Sequence, residues 1–381
     1  MKTAKRIGIV TIAYDKTYNY GNRFQMYALQ EFLRSRGIYA ETMRYCPDYG
    51  KVRPAKELKF WQRGMLQFWA DVHRVLKRYV FCKKLNELHQ SREAKFESFI
   101  QKHICLSEEV FAPDSDFSKL AAQFDCFITG SDQVWNPYWD GTNEYFFLPF
   151  VPKEKRIAYA PSIGTDHIPE DMREEFEHRV KGINYLSVRE DVAKELLLRE
   201  FNLNAKLVCD PVFLLSGQQW EAIAHMPKMN GKYFATYLLG RPDVYKQRKI
   251  KQLRKRTALP EVDMFRWDNP HAVFAGPEEF IGWIRNAEFL VTDSFHGLAF
   301  AILLQTPVVV IDRDTEMKTS MGSRMESLLR LAGLKNRGID HILSDLKSIN
   351  QTMPIENSVL ADLIEASKEY LMDAIQGCET V

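Results

Sequence analysis

Short apolar runs that end in polar turns alternate along this chain with stretches whose apolar residues recur at helical spacing. Residues 6–14 read as a buried strand, followed by a polar loop, Asn19-Tyr20-Gly21-Asn22. Phe24, Tyr27, Ala28, Leu29, Phe32 and Leu33 then sit three and four apart, which predicts a helix over 23–36, stopped by Gly37. A second strand is expected over 38–45. The same unit returns at 289–311. The run 289–291 stops at Thr292-Asp293-Ser294, and residues 297–304 are apolar nearly all round, the pattern of a buried helix. Pro307 opens a strand over 308–311, where its missing N–H does no harm. Strand, crossover helix and strand make a βαβ unit of a parallel sheet. His296 stands at the joint, past the carboxyl end of a strand and beside free backbone N–H groups that favour a phosphate or carboxylate.

Between these units, strands are expected over 124–129, 156–160, 183–188 and 206–209. Each delivers a polar or small-residue turn: Gly130-Ser131-Asp132, Ser162-Ile163-Gly164, Arg189-Glu190 and Asp210-Pro211. Open α/β sheets bind ligands outside the carboxyl ends of their strands, so these turns predict a crevice. Short helices are expected at 117–122 and around Trp220. A second series follows, with strands over 232–239 and 262–267 and helices over 245–256, 277–286, 325–332 and 360–375. No G-x-G-x-x-G follows the first strand, which argues against a dinucleotide site there.

Residues 51–101 interrupt the alternation with a basic, aromatic, helical pattern. From Lys51 to Lys84, Lys and Arg outnumber Glu57 and Asp71 ten to two. Trp61, Met65, Phe68, Val72, Val75 and Tyr79 share one helical face. That face either packs on the first domain or meets an anionic lipid surface.

The 381 residues suffice for two domains, and 45% hydrophobic residues support a large core. A net charge of +2 argues against a nucleic-acid-coating protein. Six cysteines without close pairs suggest reduced thiols and a cytoplasmic setting, and no metal-ligand spacing appears. Asp15 and Lys16 break the first apolar run at once, unlike a signal peptide. No apolar run reaches the ~18 residues needed to span a bilayer.

Several stretches, in this order and spacing, resemble the polysaccharide pyruvyl transferases over roughly 6–335. They are Asn19-Tyr20-Gly21-Asn22 with Tyr27-Ala28-Leu29-Gln30, residues 130–136, Ser162-Ile163-Gly164, residues 187–190, Asp210-Pro211 and residues 292–297. The resemblance implies two Rossmann-like domains facing a cleft, GT-B-like; the basic helical insertion (about 51–105), expected in the first domain, is not part of the match. The expected boundaries are 1–215 for an acceptor-side domain and 216–350 for a donor-side domain, with a helix at 355–377 packing back on the first. The resemblance also implies phosphoenolpyruvate as donor and co-substrate, with no further cofactor. A sugar diol, on a surface polysaccharide or a lipid-linked oligosaccharide, would be the acceptor of a cyclic ketal. Peripheral contact with the inner face of the membrane would follow from such an acceptor. Many members carry Arg-Leu-His-Gly where this chain has Ser294-Phe295-His296-Gly297, so the expected cations shift to Arg324 and Arg189.

Ketal formation from an enol phosphate needs an acid, a base and an anion clamp. His296 is the expected acid, because imidazole ordinarily titrates near neutrality. Asp132 is either the acceptor-side base or an Asx residue shaping its turn. Arg324, Arg189, Ser294 and Gly297 are expected around the donor. Asn19, Tyr20, Asn22, Gln133, Trp135 and Asn136 are expected around the acceptor, with Trp135 offering a flat apolar face to a sugar ring. Two rivals stand beside this reading. One is a glycosyltransferase using a nucleotide sugar, for which Asp293 and Asp312 are ambiguous anchors. The other is a non-catalytic sugar-binding protein of the same fold.

Overall fold

The structure is a computed structural model. It describes residues 5–13, 19–45, 65–112, 115–138, 144–239, 242–264, 266, 269, 271–311, 321–350, 355 and 358–378, without the side chains of 65–82 and 321–323. In the first half, strands β1 (Arg6–Val10), β2 (Tyr39–Tyr45), β3 (Leu106–Phe111), β4 (Cys126–Gly130) and β5 (Arg156–Tyr159) form one sheet in the order β3-β2-β1-β4-β5. Every pairing is parallel. A parallel bridge from Ile157 to Tyr185 leads on to the short pair β6 (Ser187–Val188) and β7 (Lys206–Leu207). The crossovers include α1 (Tyr20–Ser35), α2 (Met65–His103), α3 (Ser118–Ala121), α4 (Arg173–Lys181) and α5 (Asp191–Phe201).

After α6 (Gly217–Ala222), the second half pairs β8 (Phe234–Tyr237), β9 (Glu261–Asp263), β10 (Phe289–Thr292) and β11 (Val308–Val310) in the order β11-β10-β8-β9, again all parallel. Its helices are α7 (Val244–Thr257), α8 (Pro277–Arg285), α9 (Phe295–Leu303), α10 (Met321–Leu331) and α11 (Ile339–Ser344). Strand order reverses at β1/β4 in the first sheet and at β8/β10 in the second. A crevice opens at such switch points, beyond the carboxyl ends of the strands.

Three local differences from the sequence reading have physical causes. Tyr20, Gly21 and Asn22 form the first turn of α1 rather than a polar loop before it, because extended Asn19 caps it by accepting from the Asn22 N–H at 3.4 Å. β3 escapes a hydrophobic-run reading because its centre is Ser-Glu-Glu, which an edge strand tolerates by turning Glu108 and Glu109 to solvent while Ser107 stays buried. α4 carries only Phe176 and Val180 as buried residues in a charged sequence, too few to announce a helix.

One aromatic core spans both halves. Tyr20 is fully buried, stacks on Phe280 at 4.4 Å, meets Tyr237 edge-on at 5.5 Å, and donates its hydroxyl to the Ala275 carbonyl. Burial raises its pKa. From α2, Phe96 lies 5.0 Å from the same ring, and the Arg92 guanidinium sits over it at 4.9 Å. Each such aromatic pair contributes roughly 0.5–1.5 kcal/mol beyond its buried area. Trp61 and Arg63 lie outside the described residues, as do the side chains of Phe68, Arg74, Lys77, Arg78 and Tyr79. The last helix, α12 (Val359–Gly377), returns to the first half. There Ser367 Oγ accepts from the Cys209 N–H at 2.8 Å, and the Tyr370 hydroxyl donates to the Ala158 carbonyl at 3.1 Å. Among the described residues no helix is long and apolar enough to cross a membrane.

Candidate active site

The loop after β4 is built for close approach. Gly130 lies so near the Tyr159 carbonyl that a Cβ would overlap it. Ser131 and Asp132 follow at φ 29° and 61°, left-handed backbone that costs free energy in a non-glycine residue and concentrates at functional sites. The loop is laced to the one after β5: Ser131 N–H donates to the Tyr159 carbonyl at 3.1 Å, and Ser162 N–H to the Asp132 carbonyl at 2.8 Å. These bonds fix where Ser131 and Asp132 stand.

Asp210 is the centre of the cluster. It sits just past β7 and caps the turn Pro211–Leu214, accepting from the Val212 N–H through Oδ1 at 3.1 Å. Its Oδ2 accepts from Arg189 Nη1 at 2.5 Å and from Ser131 Oγ at 3.2 Å. His296 Nε2 lies 3.6 Å from the same oxygen, an ion-pair distance just beyond hydrogen-bond length. Side-chain exposure is 0% for Asp210, 4% for Arg189 and 14% for His296. Burial alone would raise the Asp210 pKa, but His296 and Arg189 outweigh it and hold the carboxyl well below the usual range. The carboxylate therefore stays ionised between the guanidinium and the imidazole.

His296 reaches this cluster from the second half, in the first turn of α9. Ser294 caps that turn, accepting from the Gly297 N–H at 3.4 Å, while its own N–H donates to Thr292 Oγ1 at 3.1 Å. The expected donor-site groups of Ser294 and Gly297 are thus engaged in forming the helix. Across the cleft, Gly21 in the first turn of α1 abuts the imidazole, where a Cβ would overlap Nδ1.

Two further charges complete the site. Arg189 Nε faces Glu190 Oε1 at 3.5 Å, and Arg324 Nη1 faces the same oxygen at 3.9 Å. Arg324, from α10, also meets the Gln133 amide, whose oxygen accepts from Nη1 at 3.1 Å and Nη2 at 2.8 Å in the orientation that satisfies both donors. Both arginines thus reach the first half's carboxyl edge, each beside a carboxylate. Among the described residues, His296 Nε2, Arg189 Nε and Glu190 Oε1 are buried without a hydrogen-bond partner. Buried polar atoms are ordinarily bonded, so three exceptions in one cluster single it out as the candidate site.

The other sequence candidates divide. Asp132 is half-buried and its Oδ1 accepts from the Gln133 N–H at 2.9 Å, while its charge reaches Arg189. Asn136 accepts from the Tyr138 N–H at 3.0 Å. Trp135 offers no face to a sugar. It is fully buried, stacked on Phe147 at 5.3 Å, with its indole N–H donating to the Phe146 carbonyl at 3.2 Å. Tyr20 and Asn22 are likewise buried, Asn22 donating to the Ile12 carbonyl at 2.5 Å, whereas Asn19 is exposed at the helix cap. Asp293 ties β10 to β8 by accepting from the Leu239 N–H at 2.8 Å, and Asp312 lies outside the described residues. The sequence reading assigned no role to Asp210, Ser131, Glu190 or Gly21. Their signal was position, at the ends of short strands or the first turn of a helix, and their place within the stretches that carry the family resemblance.

Two parallel α/β halves that meet over this imidazole–guanidinium–carboxylate cluster define a two-domain, Rossmann-like protein of GT-B-like architecture. A sequence model of the family described as polysaccharide pyruvyl transferase matches residues 19–315, and the chain belongs to that family. Among solved structures, the UDP-GlcNAc 2-epimerase of Methanocaldococcus jannaschii is similar over 97% of this chain and 99% of its own, at 11% identity and a TM-score of 0.52. The same enzyme in complex with UDP-GlcNAc and UDP gives 12% identity, the same coverage and a TM-score of 0.50. At such identities the likeness shows the fold alone. No curated protein matches the sequence.

Proposed function

We propose that this protein transfers the pyruvyl group of phosphoenolpyruvate to two hydroxyls of a sugar, forming a cyclic ketal on a surface polysaccharide or its lipid-linked precursor. The observation that carries this reading is the meeting of His296 from one half with Arg189, Asp210 and Ser131 from the other, with buried polar atoms there that have no hydrogen bond among the described residues.

In the proposed sequence, protonated His296 delivers its proton to the methylene carbon of the donor, leaving an oxocarbenium-like centre at the carbon bearing phosphate. Asp210 holds the imidazolium in place. One sugar hydroxyl attacks that centre and gives its proton to Asp132. The second hydroxyl then displaces phosphate, which carries off the second proton. Arg324 and Arg189 hold the donor's anionic groups, arginine being suited to both carboxylate and phosphate by its planar fork. The insertion's basic segment, 51–84, brings the cleft to an anionic membrane surface when the acceptor is lipid-linked.

The test is release of phosphate from phosphoenolpyruvate with a panel of glycosides, beside the same panel offered UDP-sugars. Phosphate release with a matching mass gain on a glycoside supports the reading. Transfer from a UDP-sugar alone would replace it with glycosyl transfer. Binding of a glycoside with no turnover from either donor would make the chain a sugar-binding protein.

A further inference from the structure

Trp135 is buried, but Tyr138, three residues further along the same loop, is 59% exposed. It is nevertheless pinned. Its hydroxyl lies 2.6 Å from His167 Nε2, and His167 Nδ1 lies 2.9 Å from Asp166 Oδ1. The imidazole also meets the phenol ring edge-on at 5.9 Å. The Asp166 carboxyl is held below its usual range, chiefly by the His167 contact. A carboxylate only accepts, so His167 Nδ1 carries a hydrogen, and in the neutral ring Nε2 accepts from the Tyr138 hydroxyl. The phenol oxygen keeps its lone pairs for another donor.

The position connects to the active site. Tyr138 and His167 stand on the loops that leave the neighbouring strands β4 and β5 at their carboxyl ends. Contacts run outward from the cleft. Arg324 meets Gln133, the amides of Gln133 and Asn136 lie 3.1 Å apart, and Asn136 accepts from the Tyr138 N–H. Gly164 lets the two loops close, since a Cβ there would lie 2.9 Å from Asn136 Nδ2. An aromatic ring that is solvent-exposed, fixed by a hydrogen bond and carried on the same loop as Gln133 is suited to a ligand with an apolar face and hydroxyl edges.

We propose that Tyr138, held by His167 and Asp166, is the platform of a carbohydrate subsite, on which a pyranose ring of the acceptor stacks and donates a hydroxyl to the phenol oxygen. The proposal rests on the reading of the acceptor as a sugar, and it needs no donor. Saturation-transfer NMR with methyl β-D-galactopyranoside, methyl β-D-glucopyranoside and methyl β-D-mannopyranoside tests it directly. At least one glycoside should bind the wild type through its ring protons. Tyr138→Ala should weaken that binding at least about tenfold, and Tyr138→Trp should keep it. Tyr138→Phe and His167→Ala should each weaken it a few-fold, about twofold to fivefold. Their double variant should be no worse than either, because both remove one bond. No signal from any of the three glycosides, or binding unchanged in Tyr138→Ala, overturns the subsite. Failure of phosphoenolpyruvate as donor leaves these binding results standing and removes only the transfer reaction.

Discussion

Gly21 and His296 belong to different halves of the molecule, yet the α-carbon of one lies against the imidazole of the other with no room for a methyl group between them. Gly21→Ala should therefore push His296 away from Asp210 while α1, whose interior accepts alanine readily, still forms. The expected result is a rate loss of ~10²-fold, in line with a displaced proton-transfer group, with only a small change in melting temperature. A variant that melts normally and turns over at the wild-type rate would show that His296 has slack the packing does not suggest.

His296→Gln removes the proton itself. Turnover should fall by ~10²–10⁴-fold while circular dichroism and melting stay near wild type. Loss of the fold would instead give His296 a packing role.

Asp210→Asn should harm both stability and rate. Arg189 would be left buried beside a neutral amide, a change that destabilises by roughly 3–5 kcal/mol. The pH dependence has a definite sign. A carboxyl whose pKa is depressed on folding stabilises the protein fully above its unfolded value, and the contribution is lost as pH falls toward the folded one. The stability gap between wild type and Asp210→Asn should thus be widest near neutrality and should narrow in acid below the ordinary carboxylate range. Denaturant melts at neutral pH and in acid would detect a gap that fails to narrow.

Arg324→Ala and Arg189→Ala should each raise the KM for phosphoenolpyruvate more than that for the acceptor, by about 1.5–3 kcal/mol per lost charge-assisted bond. Steady-state kinetics with each substrate varied in turn separates the two. Equal, small effects would remove both arginines from the donor site.

Lys77→Glu with Arg78→Glu should weaken binding to phosphatidylglycerol vesicles at low salt, each surface-near cation contributing roughly 1 kcal/mol. Wild-type protein that stays in the supernatant at low salt would end the membrane proposal.

Much of this molecule was legible in its sequence because parallel sheets announce themselves. Apolar runs such as Leu290–Val291 and Val308–Val309 are buried on both faces, and polar residues gather where those runs stop. His296 stood out for that reason. Trp135 misled because a loop tryptophan looks the same whether it faces solvent or core. Its partner Phe147 is brought to it by a turn at Glu144–Phe147 that the sequence pattern does not announce. Asp210 was undervalued because its importance lies in three long-range contacts, to Ser131, Arg189 and His296, and its own strand has only two residues.

The return of α12 to the first half has a consequence for how the chain is made. Strands β5 to β7 leave a ribosome early, but the Cys209 N–H meets its partner only when Ser367 emerges, and the Ala158 carbonyl, already accepting from Ser187 Oγ, gains the Tyr370 hydroxyl only then. Buried backbone groups without partners are unfavourable, so the first half must wait, incomplete, through synthesis of the entire second half. The halves are nested in time rather than sequential. A fragment ending near residue 350 is therefore expected to emerge as a sticky, unfinished domain, while the second sheet, whose strands all lie between Phe234 and Val310, can close first.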